Sequence, residues 1–107
     1  MIFIVVKFTV RPERAEHWLG LVDEFTLATR REPGTLFSEW SRSVDLPHQF
    51  VLVEAFADPD AGRAHVSSAH FARAMAWMPD VLARTPEIIS LDAPGAGWSP
   101  MAELRID

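Results

Sequence analysis

The chain has 107 residues, enough for one domain with one modest core. Its net charge of −5, with fifteen acids against ten scattered basic residues, excludes both a phosphate-neutralising stripe for nucleic acid and a basic membrane-binding face. There is no cysteine, which rules out disulfides, thiolate metal sites and a cysteine nucleophile.

Residues 2–10, IFIVVKFTV, are almost wholly β-branched or aromatic and predict a strand covered on both faces. The same stretch is too short, and too uncharged at its start, for a signal peptide. Lys7, the odd residue in it, is expected to reach out to solvent. Pro12 opens a helix where its missing N–H is harmless. Ala15, Trp18, Leu19, Val22, Phe25 and Thr29 recur at helical spacing and form one apolar stripe, with Trp18 in the core. Pro33 and Gly34 stop that helix.

Residues 35–44 and 49–57 predict two strands joined by the turn DLPHQ, an antiparallel hairpin. On the second strand Val51, Val53 and Ala55 share one face, which the reading places under the helices. Phe50, Leu52, Glu54 and Phe56 share the other. Asp58 caps a following helix with Pro59 at its first position. Ser67 and Ser68 interrupt it, and Ser68 caps a second segment through Phe71, Ala72, Met75, Met78 and Leu82, which Pro86 ends. EIISL reads as a fourth strand, DAPGAGWSP as a loop and MAELRI as a short fifth strand.

The order is that of an α+β, ferredoxin-like βαββαβ domain spanning 1–107, with both helices on one face of a four-stranded antiparallel sheet. The other face would carry Phe50, Leu52, Phe56, Trp40 and either Leu36 or Phe37. That patch is too apolar for a monomer, so a homodimer packed sheet to sheet is expected, with the 93–107 segment crossing onto the partner. With no run approaching the roughly 18 apolar residues of a membrane span, a cytoplasmic location is expected.

Glu54 sits mid-strand among apolar neighbours, where an unpaired carboxylate must take up a proton or find a cation. His65 and His70, on the helical segments that follow, are the natural partners, and a Glu–His pair in an aromatic-lined cavity is a candidate general acid/base. The plainer alternative keeps His65 and Glu54 as a structural pair and His70 in solvent. A zinc site would draw only on Glu54, His65 and His70, without an HExxH helix, so no metal is expected. His17 and His48 read as surface residues. Ser38, Ser41, Ser67 and Ser68 lack the context of a nucleophile elbow, and the GAG at 95–97 lacks that of a phosphate loop.

REPGTLFSEW (31–40), FVLVEAF (50–56) and AHVSSAHF (64–71), in this order and spacing, resemble the antibiotic biosynthesis monooxygenase domain family, including its small quinol monooxygenases and its autoinducer-2 phosphate-processing isomerase branch. The likeness runs over roughly residues 1–92. It implies a dimeric α+β barrel with a pocket between sheet and helices in each subunit, and recurrent polar pocket residues at Glu54, His65 and His70. It also implies cofactor-free oxygenation of electron-rich phenols, quinols or anthrones, with molecular oxygen as co-substrate. On that reading His65 is the base, Glu54 orients it, His70 holds the substrate oxygen, and Trp40, Phe56, Phe71 and Met75 line a slot for a small aromatic substrate. The places of the haem-degrading branch's histidine and tryptophan are held here by Met75 and Phe56, and the chain has no tyrosine. Haem is therefore not expected. The alternatives are isomerisation of a small metabolite by the same acid/base pair, and a non-catalytic dimeric ligand-binding module.

Overall fold

The computed structural model describes all 107 residues. β1 (Ile2–Thr9) is followed by a 3₁₀ segment (Pro12–His17), α1 (Trp18–Leu21) and α2 (Asp23–Arg31), then β2 (Thr35–Arg42) and β3 (Gln49–Phe56). α3 (Pro59–Val66), α4 (Ala69–Trp77), a short 3₁₀ turn (Met78–Asp80) and β4 (Glu87–Asp92) complete the order. The sheet is antiparallel throughout, with strand order β2-β3-β1-β4. This is the ferredoxin-like α+β arrangement. No helix is long and apolar enough to cross a membrane.

The first helix is not the single rod its periodicity predicts. It divides into the 3₁₀ segment, α1 and α2, with a break at Val22 (φ −89°, ψ −1°). Gly20 and β-branched Val22 weaken helix there. The buried stripe nevertheless survives as Ala15, Trp18, Val22, Phe25 and Thr29, whereas Leu19 points out and is 53% exposed. Asp58 and Ser68 cap α3 and α4 by accepting from the amides of Ala61 and Phe71.

The assignment of the two sheet faces is reversed. Val6, Phe8, Phe50 and Leu52 pack with Trp18, Phe25, Ala74 and Met78 beneath the helices. A close-packed layer between sheet and helices needs volume, and rings supply it better than Val51, Val53 and Ala55. Those smaller residues lie on the open face with Phe3, Val5 and Phe37. Residues after β4 turn back over that face, placing Trp98 against Phe37 at 5.1 Å. The fifth strand does not form within the chain. Its ladder groups meet no edge of this sheet, and Met101, Leu104 and Ile106 stay exposed.

One irregularity positions the site. β2 pairs with β3 as Thr35↔Phe56 and then Phe37↔Ala55, so Leu36 is an extra residue in the ladder. The bulge turns Ser38 onto the helix-covered face, directly opposite Glu54.

Candidate active site

Four elements converge on one buried polar cluster. Glu54 projects from the middle of β3 and His65 from the last turn of α3, and both are buried. His70 lies in the first turn of α4, and Glu32 is the residue that ends α2. Ala57 donates to the Gly34 carbonyl at 2.8 Å, and a Cβ on Gly34 would overlap Ala61. This tight approach brings the turn carrying Glu32 against α3.

Glu32 Oε2 lies 2.8 Å from His65 Nδ1 and 2.7 Å from His70 Nε2. A carboxylate only accepts, so both imidazoles donate N–H to it. In the neutral imidazole, donation from Nδ1 leaves the lone pair of Nε2 free. His65 Nε2 stands 4.0 Å from Glu54 Oε1. The ring is stacked on Phe56 (4.7 Å between centroids, 29° between planes) and meets Phe71 edge-on at 5.2 Å. Phe25 closes the other side against both histidines.

Glu54 is paired differently. Ser38 Oγ donates to its Oε2 at 3.3 Å. Burial raises its pKa from 4.5 to about 7; the Ser38 hydrogen bond works against this rise and the nearby Glu32 charge adds to it. The group thus exchanges its proton near neutrality.

Glu54 and His65 share the wall of a cavity of about 250 Å³ whose other lining is almost wholly apolar, including Ile4, Val6, Phe71, Met75 and Ile88. Next to it lies a more open groove of about 440 Å³, with Phe8, Met75, Met78 and Pro86 common to both. No cation lines the cavity. Lys7 is exposed, and Arg42 is held by the Pro47 carbonyl.

Of the residues singled out from the sequence, Phe71 and Met75 line the cavity and Phe56 stands behind the His65 ring. Trp40 lies elsewhere. It donates Nε1–H to Thr26 Oγ1 at 2.8 Å and packs on Phe8 and Trp18, two residues along β2 from the position facing Glu54. His70 is not a solvent residue but reaches Glu32, and His48 is half-buried with Nδ1 unpartnered. The residue bonded to His65 is Glu32, not Glu54. Sequence reasoning passed over it as part of a helix stop. Its signal was an acid at a helix C-terminus, where the dipole favours cations such as the neighbouring Arg30 and Arg31.

The ferredoxin-like domain around this site belongs to a class that similarity to known proteins identifies. The sequence model of antibiotic biosynthesis monooxygenases matches residues 1–77, and the chain belongs to that family. No curated protein matches the chain in sequence. Among solved structures, the Rv0793 protein of Mycobacterium tuberculosis superposes with a TM-score of 0.81 at 26% identity, covering 92% of this chain and 98% of that one. A provisionally named antibiotic biosynthesis monooxygenase from Nitrosomonas europaea gives 0.80 at 24% identity, with 87% and 98% covered. The PA3566 protein of Pseudomonas aeruginosa gives 0.77 at 21% identity, with 88% and 94% covered. At these identities the last two speak for the fold alone.

Proposed function

We propose that the protein is a cytoplasmic, cofactor-independent monooxygenase of an aromatic quinol, phenol or anthrone-type substrate. The observation that carries this reading is the setting of His65: Nδ1–H anchored on Glu32, Nε2 free beside an apolar cavity. Nε2 takes the acidic proton of the bound substrate, and the Glu32 carboxylate stabilises the imidazolium that forms. The water-poor cavity favours the delocalised, electron-rich anion, which transfers one electron to O₂. The radical pair then collapses to a carbon–oxygen bond. For an anthrone-type CH₂, that carbon loses two hydrogens and gains one oxygen, while the second oxygen leaves as water. No external reductant is required.

The cavity's size matches a one- or two-ring substrate, and the adjoining groove gives room for a third ring. Glu54, poised between its two protonation states, serves as the hydrogen-bond partner of the substrate oxygen. No cation lines the cavity itself and only Arg84 lines the adjoining groove, which weighs against a phosphorylated substrate and so against the isomerase reading. The open sheet face, with Phe3, Val5 and Phe37 half-buried, is read as the surface for a second copy, which sedimentation would detect.

The test uses ¹⁸O₂ and metal-free protein with an anthrone and a hydroquinone. The reading requires one labelled oxygen in the anthrone product and no turnover without O₂. Turnover that continues anaerobically would contradict it and favour an isomerase. Retention of the aromatic without chemical change would favour a binding module.

A further inference from the structure

We propose that Glu32, His65 and His70 also form a binding site for one divalent transition-metal ion of the zinc type. The sequence offered Glu54 as the third possible ligand. The fold supplies Glu32 instead, and brings one ligand atom from each of the three residues within 4.8 Å of one another. Two imidazole nitrogens and a carboxylate oxygen are the donor set of many three-ligand zinc sites, and suit zinc, cobalt, nickel or copper rather than calcium or magnesium.

The convergence depends on the break between α3 and α4. On one continuous helix, His65 and His70 would point about 140° apart. The Ser67–Ser68 interruption turns α4 so that His65 Nδ1 and His70 Nε2 meet on the same Glu32 oxygen. Metal bonds of about 2.0–2.1 Å set ligand atoms roughly 3.4 Å apart. The observed 2.7 and 2.8 Å therefore need only a small opening of the cluster. The side chains of Glu32 and His70 are 13% and 15% exposed, which leaves a route for the ion. Behind the ligand His65, its second nitrogen faces Glu54, itself bonded to Ser38. Such a carboxylate behind a ligating imidazole is a frequent companion of metal sites.

Occupancy has a consequence that rests on the oxygenase reading. With the ion on Nδ1, the remaining imidazole proton resides on Nε2, so His65 cannot accept a proton from substrate. The metal is then an inhibitor, not a cofactor.

The experiment titrates chelator-stripped protein with Co²⁺, followed by its visible absorption, and with Zn²⁺ by calorimetry. One equivalent per chain and a visible Co²⁺ band are expected. Glu32→Gln and His70→Ala should each weaken binding by at least about 10-fold, while His17→Ala, at an exposed residue away from the cluster, should not change it. Circular dichroism confirms that the variants are folded. The proposal is overturned if wild type binds neither ion, or if both ligand variants bind like wild type. One equivalent of Zn²⁺ should lower oxygen uptake at least 10-fold, reversibly with chelator; stimulation by Zn²⁺ would overturn the inhibitory part. Absence of oxygen uptake in metal-free protein would refute the oxygenase reading instead, and leaves the titration as it stands.

Discussion

At one end of the layer between helices and sheet, Trp18, Phe8, Trp40 and Phe50 pack ring against ring, with centroids 5.2 to 6.2 Å apart. At the other end, beneath the same helices, Glu32, Ser38, Glu54, His65 and His70 bond to one another beside a cavity. The first end gains from burial and close contact. The second gives up that packing and holds a carboxylate whose charged form is disfavoured. Stability should therefore reside at the aromatic end and chemistry at the polar end, and variants at each can break that division.

The largest effect on folding is expected from Trp18→Ala, which empties the centre of the aromatic end and should cost about 4 kcal/mol in urea unfolding. A loss below about 1 kcal/mol would show that the rings there carry little of the stability.

Glu54→Gln probes the polar end. The folded-state pKa of Glu54 is raised to about 7. Its contribution to stability is therefore fully present below pH 4.5 and is lost as pH rises through 7. Wild type should lose about 3 kcal/mol relative to the glutamine variant across that window. Parallel pH–stability curves for the two proteins would show that Glu54 titrates normally.

Glu32→Gln should lower kcat by about 100-fold, equivalent to about 2.7 kcal/mol, with little change in KM. The acidic, ascending limb of the pH–rate profile should also move to lower pH, because the imidazolium loses its counter-charge. A purely structural role would leave that limb in place. The smallest effect is expected from Thr26→Val, which leaves the Trp40 Nε1–H without its acceptor and should cost about 1 kcal/mol, measured by the same urea titration, with turnover unchanged.

Much of this division was legible in the chain. The strand of residues 2–10, the caps at Asp58 and Ser68, and the break at Ser67–Ser68 are local signals, and the structure contains each of them. Glu54 was marked by its place in an apolar strand. What the sequence hid was non-local. Alternation along β3 separates its faces but does not say which one the helices choose. Glu32 lies 33 residues from His65, and no spacing rule links them. Trp40 was read with Phe56, Phe71 and Met75 as lining the substrate slot; only the pairing of β2 with β3 shows that it lies opposite Leu52, on the side of the aromatic core.

The proposed function turns on the His65 imidazole, anchored at Nδ1 on Glu32 and proposed to start oxygenation from Nε2 without help from a metal. Oxygen uptake by metal-free protein with a hydroquinone or anthrone, compared with His65→Ala, tests this most directly. The expected result is steady uptake by wild type and a loss of at least about 100-fold in the folded variant. Uptake by His65→Ala at the wild-type rate would contradict it.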